Sequence, residues 1–175
     1  MAMLLPVIVI LAGLILLQDF RSRRVLWILF PLLAAAGILL GYREVGLEQL
    51  LLNSAVNLVL LLMQLVLLAL FFLPRTGWKI KALLEKIGPG DVLFLIVCCF
   101  FFSPVNFLLF HIVSLLLALV LHFIFLRNRK YNRSGSTVAL AGWQALALLL
   151  VLLLAPASGV LYSDDWLLNS LLWKY

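Results

Sequence analysis

The sequence predicts an all-α fold: a polytopic helical membrane protein with about six transmembrane helices and its N-terminus outside. Of its 175 residues 66% are hydrophobic and only 11% are charged, and the mean hydropathy is +1.23. A soluble domain of this length cannot bury so large an apolar fraction, because its surface has to carry polar side chains. Apolar runs of membrane-crossing length also recur along the chain. The length allows one domain, residues 1–175, whose backbone polar groups are satisfied within packed helices.

Charges and helix-breaking residues divide the chain into six apolar segments. They span residues 3–18, 25–41, 49–73, 91–103, 107–126 and 138–155. The first segment lacks a basic n-region and a small-residue cleavage site, so we expect a retained helix and not a removed signal peptide. The fourth is short for a bilayer of ~30 Å and has to be packed among its neighbours. The aromatic-flanked stretch 166–173 is too short to span and is expected at an interface.

The orientation follows from the basic residues, because eleven of the 13 lysines and arginines lie in three loops on one side. These are Arg21, Arg23, Arg24, Arg75, Lys79, Lys81, Lys86, Arg127, Arg129, Lys130 and Arg133. The positive-inside rule places these loops in the cytosol. The net charge of +6 also predicts attraction to anionic membrane lipids. It does not predict a nucleic-acid partner, since aromatic residues do not interleave with the basic ones.

Two aspartates fall at the predicted cytosolic membrane boundary. Asp19 ends the first segment, and Asp91 begins the fourth behind Gly88-Pro89-Gly90. Each has an ordinary explanation: Asp91 as the cap of its own helix, and Asp19 as a partner of Arg23 or a member of an interfacial belt. Carboxylates beside hydrocarbon are costly unless they are solvated or paired. Two at one depth therefore favour a shared function.

The chemistry that suits such a pair is aspartic hydrolysis. Two close aspartates share one proton, so the ionised one takes a proton from water while the protonated one donates to the scissile carbonyl. This requires no metal and no cofactor. The sequence offers few residues for metal-dependent or nucleophilic chemistry. Cys98 and Cys99 are adjacent without a second pair, which is typical of buried small hydrophobes. His111 and His122 have no Cys or Glu at ligand spacing, so we expect packing or helix contacts.

Two motifs resemble those of a known family. Residues 19–25 (DFRSRRV) resemble the D-x-R-x-R-x-I/V signature that follows the first helix of type IV prepilin peptidases. Residues 88–92 (GPGDV) resemble the G-x-G-D motif of the same family, which presenilin-type proteases share. With the six-helix layout, the resemblance covers essentially the whole chain. It implies that Asp19 and Asp91 are catalytic and that Gly88 and Gly90 form an active-site loop that lets the backbone bend.

The resemblance further implies a membrane-embedded aspartic endopeptidase in a bacterial or archaeal inner membrane. Its substrate would be a prepilin or pseudopilin with a short basic leader and an apolar helix, cut at the cytosolic face. The chain has room only for the peptidase domain. It departs from many relatives at Leu26-Trp27, where they have Pro-Asn, and at Leu93, where they have Lys.

Two other hypotheses stay open. These departures slightly favour a peptidase-like subunit that no longer cuts and serves a pilus or secretion assembly, whereas retention of both aspartates speaks against it. A small transporter could use Asp19 and Asp91 as a proton relay, although that function would place the carboxylates near the bilayer midplane.

Overall fold

The computed structural model describes residues 4–22, 25–72, 88–126, 140–154 and 159–164, and every regular element in these ranges is a helix. The helices are α1 (Leu4–Ser22), α2 (Leu29–Phe72), α3 (Pro89–Cys98), α4 (Pro104–Leu126), α5 (Leu140–Leu154) and α6 (Gly159–Tyr162). The prediction of an all-α fold is therefore confirmed for these residues. The stretch 166–173 and most of the basic loop residues lie outside them.

Three helices are long and apolar enough to cross a membrane: α1, α2 and the Pro104–Leu121 part of α4. The helices α3 and α5 are apolar but shorter. Large apolar side chains cover the outer surface; Phe123 and Leu154, for example, are 73% and 82% exposed. So extensive an apolar surface is suited to lipid and not to water. Six spans and an outside N-terminus remain predictions.

The helix α2 changes direction at a single residue. The sequence instead predicts a longer break, between segments 25–41 and 49–73. Only Gly46 has non-helical dihedral angles, with φ 80° and ψ 172°. A methyl group at Gly41 would lie 2.7 Å from Cδ1 of Leu50, whereas in a straight helix these positions are about 13 Å apart along the axis. The chain thus folds back at Gly46, because a positive φ is easily adopted by glycine.

Polar side chains join the helices at the end opposite to α5's first turn. The Tyr162 hydroxyl donates to the Gly37 carbonyl (3.3 Å), and the Asn53 amide donates to the Tyr162 carbonyl (3.1 Å). The Asn57 amide donates to two backbone carbonyls in the turn between α3 and α4, at 3.1 and 2.7 Å. Gly37 lies within α2, but the other acceptors are carbonyls at or just beyond helix ends, which lack intrahelical partners, so the bonds from Asn53 and Asn57 satisfy them at apolar depth.

The core lies between α3, α4 and the helices that pack on them, and its bulk comes from the fully buried Phe94, Phe101 and Phe107. Cys98 and Cys99 are free and buried in this core, as the sequence predicts. The prediction for His111 also agrees, because its Nε2 lies 2.7 Å from Nε2 of Gln64 and joins α4 to α2. The side chain of His122 lies outside the described part of the chain.

Candidate active site

Asp19 lies in the last turn of α1 and is only 8% exposed. Its Oδ2 accepts a hydrogen bond of 2.6 Å from the backbone N–H of Gly142, in the first turn of α5. The C-terminus of α1 disfavours an anion, but the first N–H groups of α5 have no intrahelical partner and lie at the positive end of that helix. The carboxylate is therefore held by a helix other than its own. Arg23, its predicted partner, lies outside the described residues.

Asp91 lies in the first turn of α3 without capping that helix. The N-cap residue of α3 is Gly88, and none of the side chains that the structure describes caps this helix. Oδ1 of Asp91 instead accepts a hydrogen bond of 2.7 Å from the backbone N–H of Ala141. The ordinary explanation of Asp91 as the cap of its own helix does not hold, because its carboxylate binds the N-terminus of α5.

The two carboxylates thus meet at one place. Ala141 and Gly142 are consecutive residues, so the carboxylate oxygens that bind them are within about 8 Å of each other. We call Asp19 and Asp91 the carboxylate pair. The pKa of Asp91 is raised from 3.8 to about 6, chiefly by burial; the hydrogen bond from Ala141 opposes the rise, and the charge of Asp19 is a smaller cause of it. The two carboxylates therefore lie side by side at the N-terminus of one helix, each held by its own N–H group, and the charge of Asp19 contributes to the raised pKa of Asp91.

The two glycines of the predicted active-site loop differ from one another. A methyl group at Gly88 would lie 2.7 Å from Oδ2 of Asp91, so this position has to be small for the carboxylate to stay where it is. Gly90 is helical, its φ is not positive, and a methyl group there would meet only the Phe30 ring at 3.9 Å. Gly90 thus shows neither a positive φ nor a close contact with the described residues, whereas Gly88 is approached closely by the carboxylate of Asp91; the role of both glycines in an active-site loop stays a prediction.

The first turn of α5 is the part of the site that sequence reasoning missed. A methyl group at Gly142 would lie 2.9 Å from Oδ2 of Asp19 and 3.1 Å from the Phe20 ring. The ring of Phe20 in turn packs edge-on against Trp143, with centroids 4.5 Å apart. A glycine near the start of an apolar segment, just after a basic loop, is the only local signal for this contact.

The residues around the first motif form a short, secured turn. The side-chain oxygen of Gln18 accepts a hydrogen bond of 2.9 Å from the N–H of Leu26, and the Ser22 hydroxyl donates to the Gln18 carbonyl at 2.9 Å. Two of the positions that depart from the family pattern are open to the surroundings, since Trp27 is 72% and Leu93 is 41% exposed. The region beside the pair thus presents apolar side chains.

The function of this site is constrained neither by a metal site among the described residues nor by a match to a known protein. Within the described ranges, no group of three or more His, Cys, Asp and Glu side chains could hold a metal ion. A scan against family models found no match for the chain, and searches of curated proteins and of solved structures found none. The resemblance to prepilin peptidases therefore rests on the two motifs and the predicted helix layout.

Proposed function

We propose that the protein is a membrane-embedded aspartic endopeptidase that removes the short basic leader of prepilins or pilin-like proteins. The observation that supports this most is the carboxylate pair, which α1 and α3 bring to consecutive N–H groups of α5. Aspartates that serve only an interfacial belt have no need to converge on one helix end. Two carboxylates that share a proton provide both a base and an acid.

In the proposed reaction the pair holds one proton, which we assign to Asp91 because its pKa is the one raised to about 6, and the Asp19 carboxylate acts as the base. Asp19 takes a proton from a water molecule, whose oxygen attacks the carbonyl carbon of the scissile peptide bond. Asp91 gives its proton to the carbonyl oxygen. The tetrahedral intermediate then breaks its C–N bond: the leaving amine receives the proton that Asp19 took from water, and one hydroxyl of the intermediate returns a proton to Asp91 as the product carboxyl forms. The backbone N–H groups of Ala141 and Gly142 hold both carboxylates in position throughout.

The position of the pair along the helices supports a cytosolic site in a cell inner membrane. The pair lies where α1 ends and where α3 and α5 begin. The three sequence loops that carry eleven of the 13 basic residues adjoin these same helix ends. The positive-inside rule assigns that side to the cytosol. The terminal-turn position also favours a peptidase over a proton relay, which requires carboxylates near the midplane.

The test is cleavage of a synthetic peptide with a lysine-containing leader, a glycine and an apolar helix. Asp19→Asn and Asp91→Asn should each reduce cleavage to near background, and the double variant should be hardly worse, because the two groups act as one unit. Glu48→Gln is the matched control, since Glu48 is an exposed acid near the Gly46 bend. Full cleavage by either single aspartate variant would refute the proposal.

The peptidase-like assembly subunit remains the second candidate, because of the exposed apolar residues at Trp27 and Leu93. The same assay separates the two functions. If folded wild-type protein binds the peptide without cutting it, the peptidase function is refuted and the assembly-subunit function is supported.

A further inference from the structure

One buried amide near the carboxylate pair has no hydrogen-bond partner among the described residues. Gln144 is 0% exposed, and neither its Nε2 nor its Oε1 is hydrogen-bonded to any residue that the structure describes. The chain's other three glutamines, Gln18, Gln49 and Gln64, all make side-chain hydrogen bonds. Burying an amide without partners is costly in free energy. A native protein retains such a group where a ligand or water completes its bonds.

The position of Gln144 relates it to the carboxylate pair. It lies on α5, three residues after Ala141, whose N–H binds Asp91. Residues three apart lie on the same side of a helix, and helical side chains lean toward the N-terminus. The amide of Gln144 therefore extends toward the turn that holds both carboxylates, about 4.5 Å along the helix axis from Ala141.

We propose, resting on the peptidase function above, that Gln144 binds the backbone of an extended peptide substrate beside the scissile bond. A primary amide offers an acceptor oxygen and N–H donors, which complement the N–H and C=O of one peptide group. A peptide that unwinds to be cut in an apolar site exposes such groups, and each of them needs a partner. Gln144 supplies both bonds from the helix that positions the catalytic pair.

This role predicts a particular division of kinetic effects. The Gln144 amide is fully buried in the free protein, so the residues packed around α5 have to move apart before a peptide can reach it. Its two hydrogen bonds form when the substrate binds and persist in the transition state. An interaction made equally in both states lowers KM and leaves kcat unchanged. Loss of either aspartate should have the opposite signature.

The experiment compares Gln144→Met with wild type, using the synthetic leader peptide as the probe. Methionine keeps the length of the side chain and removes both unpaired polar atoms, so we expect a higher melting temperature in detergent. KM should rise at least tenfold while kcat changes less than twofold. In parallel, probes N-methylated at each bond around the cut site lose one N–H at a time. One of these should raise KM for wild type and leave it unchanged for Gln144→Met.

The outcomes separate this inference from the peptidase proposal. Unchanged KM in a folded Gln144→Met protein would overturn the substrate-binding role and leave the peptidase intact. A lower melting temperature with unchanged KM would show that the amide serves the fold. If the variant does not fold, wild-type kinetics on the N-methylated series decide, and insensitivity at every position rejects the role. Wild-type protein that leaves the probe uncut would refute the peptidase itself.

Discussion

Substitution of Gly142 by alanine is the most direct perturbation of the proposed site that leaves both carboxylates in place. The added methyl group would lie 2.9 Å from Oδ2 of Asp19, the atom that now accepts the Gly142 N–H at 2.6 Å. The Phe20 ring would be 3.1 Å away on another side. Asp19 is only 8% exposed, and Phe20 is packed on Trp143. The carboxylate can therefore make room only by weakening its bond to α5.

The expected magnitude combines two opposing contributions. Alanine in place of glycine in a helix is worth about 0.5–1 kcal/mol of added stability. Loss of a hydrogen bond to a charged group costs about 1.5–3 kcal/mol. Gly142→Ala should therefore be less stable by about 1–2 kcal/mol. Because small misplacements of a catalytic group are costly in rate, we expect cleavage of the leader peptide to fall roughly 10- to 100-fold.

Gly13→Ala is the matched control, because Gly13 lies in the same helix as Asp19 and a methyl group there would meet no described residue within 4 Å. This variant should gain about 0.5–1 kcal/mol and cleave at the wild-type rate. The assays are thermal melting in detergent and the initial rate of peptide cleavage. If Gly142→Ala is stabilised as Gly13→Ala is and cleaves fully, the reasoning that couples α5 to Asp19 is refuted.

Two further predictions concern Asp91. Gly88→Ala, whose methyl group would lie 2.7 Å from Oδ2 of Asp91, should reduce cleavage severalfold, whereas Gly90→Ala should be nearly neutral; equal rates for the two would contradict the assignment. Folding raises the pKa of Asp91 from 3.8 to about 6. The protonated carboxyl of Asp91 therefore stabilises the folded state relative to the unfolded state. This stabilisation is complete below about pH 4 and is lost as the pH rises through 6. The shift corresponds to at most about 3 kcal/mol, and about 1–2 kcal/mol after solvent screening of the half-buried group. Melting temperatures of wild type should thus fall between pH 4 and 6 more steeply than those of Asp91→Asn, and parallel pH profiles would exclude the raised pKa.

The sequence by itself determines the helical class, the apolar helices and the positions of the two aspartates at helix ends. These follow from hydropathy, charge and turn residues, which act over a few neighbouring positions. The prediction for Cys98 and Cys99 succeeded for the same reason, because an apolar run with no partner cysteines already favours burial. The prediction that Asp19 lies at the C-terminal end of the first helix also agrees, since α1 continues to Ser22 and carries Asp19 in its last turn.

Only the tertiary structure decides what the aspartates bind. Ala141 and Gly142 are far from Asp19 and Asp91 in sequence, and no local pattern states which helix ends meet in a packed bundle. For the same reason the sequence motif drew attention to Gly90, although the packing around it leaves room for a side chain. It gave no sign of Gly142, where the packing leaves no room for one. The reversal at Gly46 was also not predictable locally, because it depends on contacts between the parts of α2 before and after this glycine. A helix's unpaired N–H groups are a local property, but the anion that satisfies them is chosen by the fold.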